Sequence, residues 1–172
     1  MKNNIIIGLM VLICFILQST FFQTFSFGGI SPNLLIVLTA AFGFMRGKKC
    51  GLLVGFFSGL LVDLFFGDVL CFYALIYMYI GYGNGLFRRI FFKEDIKLPM
   101  VLITVSDMVY SMLCYLLLFL LRSKFQFSYY FIHIIIPEMV YTIVITIVLY
   151  PLILFINSKL EGKNQRSEGS FV

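Results

Sequence analysis

The chain has 172 residues, 61% of them hydrophobic and only 12% charged, with a mean hydropathy of +1.02; soluble domains carry about 25% charged residues, so water is excluded as the solvent for most of this chain. The net charge of +5 does not mark a nucleic-acid binder, because Lys and Arg sit in short gaps between apolar runs and are not gathered on a polar face. Cys14, Cys50, Cys71 and Cys114 lie in or beside apolar runs with no Cys-x-x-Cys spacing and no neighbouring His, a pattern of buried free thiols and not of a metal or disulfide framework.

The first apolar run extends from Ile5 to about Phe25, behind a short segment holding Lys2. It is too long for a signal peptide, and Gln18-Ser19-Thr20-Phe21-Phe22 leads into more aromatics without a small-x-small cleavage site, so an uncleaved span is expected. Ser31-Pro32-Asn33 opens the second run, which reaches Met45. Ser31 is placed to cap this helix, and Pro32 suits a first turn, where a missing N–H is harmless. The later runs cover about Cys50 to Phe66, Leu70 to Phe87, Leu98 to Leu121 and Tyr130 to Ile156. A span needs ~20 apolar residues to cross a core of ~30 Å, and the second run is short by that measure. All six runs are continuously apolar, which excludes a barrel of alternating strands. The expected fold is an all-α integral membrane protein of about six transmembrane helices. It forms one domain over residues 1–156, followed by a frayed polar cytoplasmic tail at 157–172.

Orientation follows from the cations. With the N-terminus inside, the inner segments hold Lys2, Arg46, Lys48, Lys49, Arg88, Arg89, Lys93, Lys97, Lys159, Lys163 and Arg166, leaving only Arg122 and Lys124 for the outer loops. Six spans with both termini in the cytosol are therefore expected, since one span more or fewer would put later basic clusters outside.

Three carboxylates fall within or at the edge of the apolar runs: Asp63, Asp107 and Glu138. An ionised carboxylate at mid-bilayer costs at least ~2.5 kcal/mol, so each is expected to face protein or a water-filled cavity. In the third run Gly51, Gly55, Gly59, Asp63 and Gly67 recur at steps of four, forming one stripe along a helix and a groove for close helix approach. The spacing leaves open whether the approaching helix belongs to this chain or to a partner, a second copy included. In the fifth run Thr104, Asp107, Ser111 and Cys114 share a face; in the sixth, Glu138, Thr142, Thr146 and Tyr150 do. These stripes can satisfy each other across a helix contact, either as hydrogen-bonded glue or as a proton relay or solute site. Glue is the more economical reading, because no intramembrane Lys or Arg completes an ion pathway. His133, the lone histidine, lies near a span end and is expected to be an interfacial hydrogen-bonding residue, because the sequence offers nothing nearby for catalytic or metal work. No nucleophile motif, phosphate-cradling loop or zinc spacing is present, so neither enzyme activity nor a cofactor is expected.

The stretch from Ser31 to Phe92 resembles the bacterial rod shape-determining protein MreD family. Pro32-Asn33 opens the second span, the Arg46-Gly47 joint precedes a glycine-striped span, and that span ends in Asp63. The chain departs from the family's pattern at Cys71 or Phe72, where a small residue is usual, and at Thr142, where an Asn is expected. The resemblance implies a scaffold of the cell-elongation machinery, acting with a bitopic MreC-like protein, an MreB-like cytoskeleton, and a RodA-like glycosyltransferase with its penicillin-binding transpeptidase. It also implies a fold similar to the substrate-binding subunits of energy-coupling-factor transporters. A small-molecule (vitamin) transporter subunit is accordingly the rival function, disfavoured by short outer loops that are mostly aromatic or aliphatic.

Overall fold

The computed structural model describes residues 2–24, 30–67, 71–90, 96–122 and 131–168. Lys93 and Lys124, and the Gly67-Asp68 joint beyond Gly67, lie outside the described residues, as do the side-chain surroundings of Lys2, Arg122, Lys163 and Arg166. Among these residues six helices follow in order. Helix α1 (Lys2–Ile16) is prolonged by a π-helical turn, Leu17–Phe21, and a last turn, Phe22–Thr24. Next come α2 (Leu34–Arg46), α3 (Lys48–Phe66), α4 (Phe72–Leu86) with a 3₁₀ turn at Phe87–Ile90, and α5 (Lys97–Arg122). A π-helical turn, Phe131–Ile135, leads into α6 (Ile136–Glu168). The protein is an all-α integral membrane protein.

Among the described residues, four stretches are long and apolar enough to cross a bilayer: Ile5–Thr24, Lys48–Phe66, Lys97–Leu116 and Phe131–Leu160. The 15 residues of α4 rise about 22 Å, and its 3₁₀ turn brings the length near 30 Å. At 13 residues, α2 rises only about 20 Å, less than ~30 Å of hydrocarbon. Neighbouring helices and not lipid surround it along this length, because it is the centre of the bundle: every residue from Leu34 to Met45 is buried, and α2 touches each of the other five helices. A helix apolar all round is what such a position requires. The outer surface is apolar as well, with Leu53, Phe65, Val101, Val144 and Val148 exposed, whereas Asn33, Asp63, Asn84, Asp107, Thr142 and Asn157 are buried. That inside-out distribution fits lipid as the surrounding solvent.

Two local expectations are corrected. The cap of α2 is Asn33 and not Ser31: its side chain accepts the Ile36 N–H at 3.2 Å, and Pro32 precedes the helix instead of filling its first turn. An Asn carbonyl reaches the third amide as well as a Ser hydroxyl does, so the helix starts at the later residue. The last helix does not fray after Ile156 but continues to Glu168. Lys, Glu, Gln and Arg are good helix formers, so leaving the apolar run does not end the helix. Its inner face is also held, with Asn157 at 2% exposure accepting the Arg46 Nε–H at 2.7 Å.

The closest helix pair is α3 with α4. A Cβ on Gly51 would strike the Gly81 carbonyl, one on Gly55 the Tyr77 carbonyl, and one on Gly59 the Ala74 Cα. Contact is reciprocal, since Gly81 would meet the Gly51 carbonyl and Gly85 the Lys48 backbone. Helix α2 enters the same contact through Gly43, whose Cβ would lie 2.6 Å from the Gly81 carbonyl. Gly55→Leu or Gly81→Leu should therefore abolish accumulation of monodisperse protein in mild-detergent chromatography, because backbone must move and overpacking alone costs about 1–3 kcal/mol or more. Gly8→Leu, where an added Cβ meets nothing within 4 Å, should accumulate like the wild type.

Candidate functional site

The polar groups inside the bundle gather where α2 begins. The first amides of any helix have no partner within it, and lipid offers none. Asn33 Oδ1 accepts the Ile36 N–H at 3.2 Å and the Tyr77 hydroxyl at 2.8 Å. The Asn33 N–H donates to Thr142 Oγ1 at 3.3 Å. Gln18, turned inward on the π-helical turn after α1, accepts the Leu35 N–H through Oε1 at 3.1 Å. Side chains from α4 and α6 thus meet on buried Asn33, and one from the end of α1 on Leu35 two residues later.

Asp63 performs the same service for α4. Cys71, at the head of α4, has a left-handed backbone (φ 67°) and no side-chain cap. The Asp63 carboxylate, 2% exposed, accepts the N–H groups of Tyr73 at 2.9 Å and Ala74 at 2.8 Å instead. Two charge-assisted hydrogen bonds and the positive end of the α4 dipole stabilise a carboxylate that would otherwise be costly in a bilayer. Gly59 lets this happen by bringing α3 into backbone contact with Tyr73 and Ala74.

Between the α5 and α6 stripes, the Ser111 hydroxyl donates to Glu138 Oε2 at 3.3 Å. Thr142 joins Asn33, whereas Thr104 and Thr146 donate to carbonyls of their own helices, Met100 and Thr142. Asp107 is 1% exposed, and neither carboxylate oxygen has a hydrogen-bond partner among the described residues. Nearby, the Tyr110 and Tyr77 rings meet edge to face with centroids 5.1 Å apart. A cavity of about 260 Å³ lies beside the cluster, with Phe15, Gln18, Ser31, Val62, Tyr73 and Tyr110 in its wall.

Several of these contributors escaped the sequence reading. Tyr77 belongs to a step-of-four series, Tyr73, Tyr77, Gly81 and Gly85, that mirrors the stripe on α3, and this was a usable signal. Gln18 carried none, because only the π-helical turn swings it inward. Asn84, which donates to Ser106 Oγ at 2.7 Å and to the Ile80 carbonyl at 2.9 Å, joins α4 to α5 with no period to announce it.

A helix opened by Pro32-Asn33, the Arg46-Gly47 joint and a glycine stripe ending in a capping Asp63 stand together in one core, and the family model for rod shape-determining protein MreD matches residues 1–159. The chain belongs to the MreD family. No curated protein and no solved structure matches it. Family membership makes this a membrane protein of the rod-shape-determining machinery.

Two substitutions measure the cluster. Asp63→Ala should lower stability by about 1–2 kcal/mol, the loss typical of a helix cap, and Tyr77→Phe by about 0.6 kcal/mol, typical of an interhelical hydrogen bond in lipid. Reversible denaturation in mixed micelles reads both. Equal stability of Asp63→Ala and wild type would show that the α4 amides find other partners.

Proposed function

We propose that this MreD-family protein is a non-enzymatic scaffold that organises peptidoglycan synthesis along the cell wall through lateral helix contacts. Its partners are an MreC-like bitopic protein and a RodA-like glycosyltransferase with its penicillin-binding transpeptidase, and an MreB-like cytoskeleton lies on the cytoplasmic side. The match over residues 1–159 carries this reading. The use of the interior supports it: Asp63, Asn33 and Gln18 serve the chain's own helix ends, and the glycine stripe on α3 is filled by α4. What remains for partners is the outward apolar faces and the basic segments. In this reading both termini are cytoplasmic, so labelling of an engineered cysteine beside Lys93 from outside the cell would overturn the orientation.

The rival reading, a transporter subunit binding a small molecule, is favoured by the cavity beside Gln18 and Tyr110. At about 260 Å³ it falls below the roughly 300–1,000 Å³ of ligand pockets. Depletion in the native cell separates the two, because a scaffold predicts rounding or swelling under any nutrient supply. A transporter predicts arrest rescued by one nutrient. The scaffold also predicts co-purification with the bitopic partner that survives high salt, since screening acts within ~10 Å at 0.1 M on exposed charges and not on buried helix packing. Recovery of an ATPase-coupled module, or of a tightly bound vitamin, would replace the scaffold reading with its rival.

A further inference from the structure

At one end of the bundle, glycines bring two cation-bearing segments together. Gly47, the joint between α2 and α3, has φ +96°, and Arg88 lies across it with Cδ 2.8 Å from where a Cβ would stand. Gly85 presses its backbone onto that of Lys48, which seats the 3₁₀ turn carrying Arg88 and Arg89 against the first turn of α3. Between them is a cleft of about 690 Å³ lined by Gly47, Lys48, Gly85, Leu86, Arg88 and Arg89, with no carboxylate among the described residues of the lining. The opening turn of α3 has no side-chain cap, so its amides add to the positive field.

Leu86 is also the wall of a second cavity, about 310 Å³, that runs between α4 and α5 along Ile80, Gly83, Val105, Val109 and Leu113. Its room comes from Gly83, where an added Cβ would meet nothing within 4 Å. From Leu102 to Leu113, both in the lining, α5 rises roughly 16 Å. A guest filling both spaces must be anionic at one end and a narrow apolar chain beyond it. Orientation signals alone explain the cations but not an apolar groove sharing a wall with them.

We propose that this composite site binds an anionic phospholipid, with its headgroup phosphate between Lys48, Arg88 and Arg89 and an acyl chain in the α4–α5 groove. Arg guanidinium forks match phosphate oxygens, and basic pockets between transmembrane helices suit lipid headgroups. The groove decides for a lipid over a free anion.

The test is native mass spectrometry of the full chain after equilibration with vesicles of phosphatidylglycerol and phosphatidylethanolamine. Wild type should retain phosphatidylglycerol selectively. The Arg88→Gln/Arg89→Gln variant should retain about tenfold less or lower, while Lys159→Gln, which removes a cation outside the cleft, should match wild type. Gly83→Leu keeps every charge and has room for the new side chain, and it too should lose retention. Equal loss in Lys159→Gln would reduce the effect to diffuse surface charge and overturn the site. Unchanged retention in Gly83→Leu would remove the acyl groove from the proposal. Displacement of the lipid by inorganic phosphate would reassign the cleft to a free anion.

Discussion

A helix shorter than the hydrocarbon thickness of a bilayer can occupy the centre of a bundle only if its free backbone amides find partners inside the protein. That constraint governs the rest of this molecule. Helix α2 is buried on every side, and its first amides are taken by side chains: Asn33 accepts the Ile36 N–H, Gln18 after α1 accepts the Leu35 N–H and Thr142 on α6 accepts the Asn33 N–H, while the Tyr77 hydroxyl on α4 donates to the Asn33 side chain that forms the cap. The bundle is thereby organised around a polar point in an apolar surround, where an unpaired group costs most. Apolar packing alone would leave the neighbours of α2 free to rotate or slide. Directional bonds to Asn33 and Leu35 fix their register.

The glycine face of α3 solves the complementary problem of distance. Lipid supplies no hydrophobic drive for helices to associate, so contact surface has to be made by close approach. Gly51, Gly55 and Gly59 on one side, with Gly81 and Gly85 on the other, let the α3 and α4 backbones touch, and Gly43 admits α2 to the same seam. Asp63 can reach the Tyr73 and Ala74 amides because of that approach. Packing and capping are therefore one device, and neither would work at ordinary interhelical spacing.

Much of this is legible in the linear sequence wherever a period reports on a face. The six apolar runs coincide closely with the six helices, and steps of four in the third run put Gly51 through Asp63 on one side. What the period could not say was which helix would answer that face, because the reply, Tyr73 through Gly85, lies in a run whose small residues are interleaved with tyrosines. The start of α2 was misplaced by two residues because Ser31 and Asn33 are both competent caps, and only tertiary contacts with Tyr77 and Thr142 favour the latter. Gln18 was illegible for a different reason: a π-helical turn breaks the 3.6-residue repeat from which facing is inferred. The end of α6 was misread because polarity was taken for disorder, although helix propensity does not depend on leaving the membrane.

The capping of α4 by a residue of the helix before it bears on how the chain is made. Asp63 reaches the insertion machinery ten residues before the first amide that will hold it. Alone in lipid, α3 would carry an unpaired carboxylate near its end, and α4 would carry bare amides at its start. Joined as a hairpin, each removes the other's penalty. The unit that passes sideways from the translocon into the bilayer is on this physics the α3–α4 pair, released together once the chain has been synthesised through Gly85 and the glycine seam can close behind the cap.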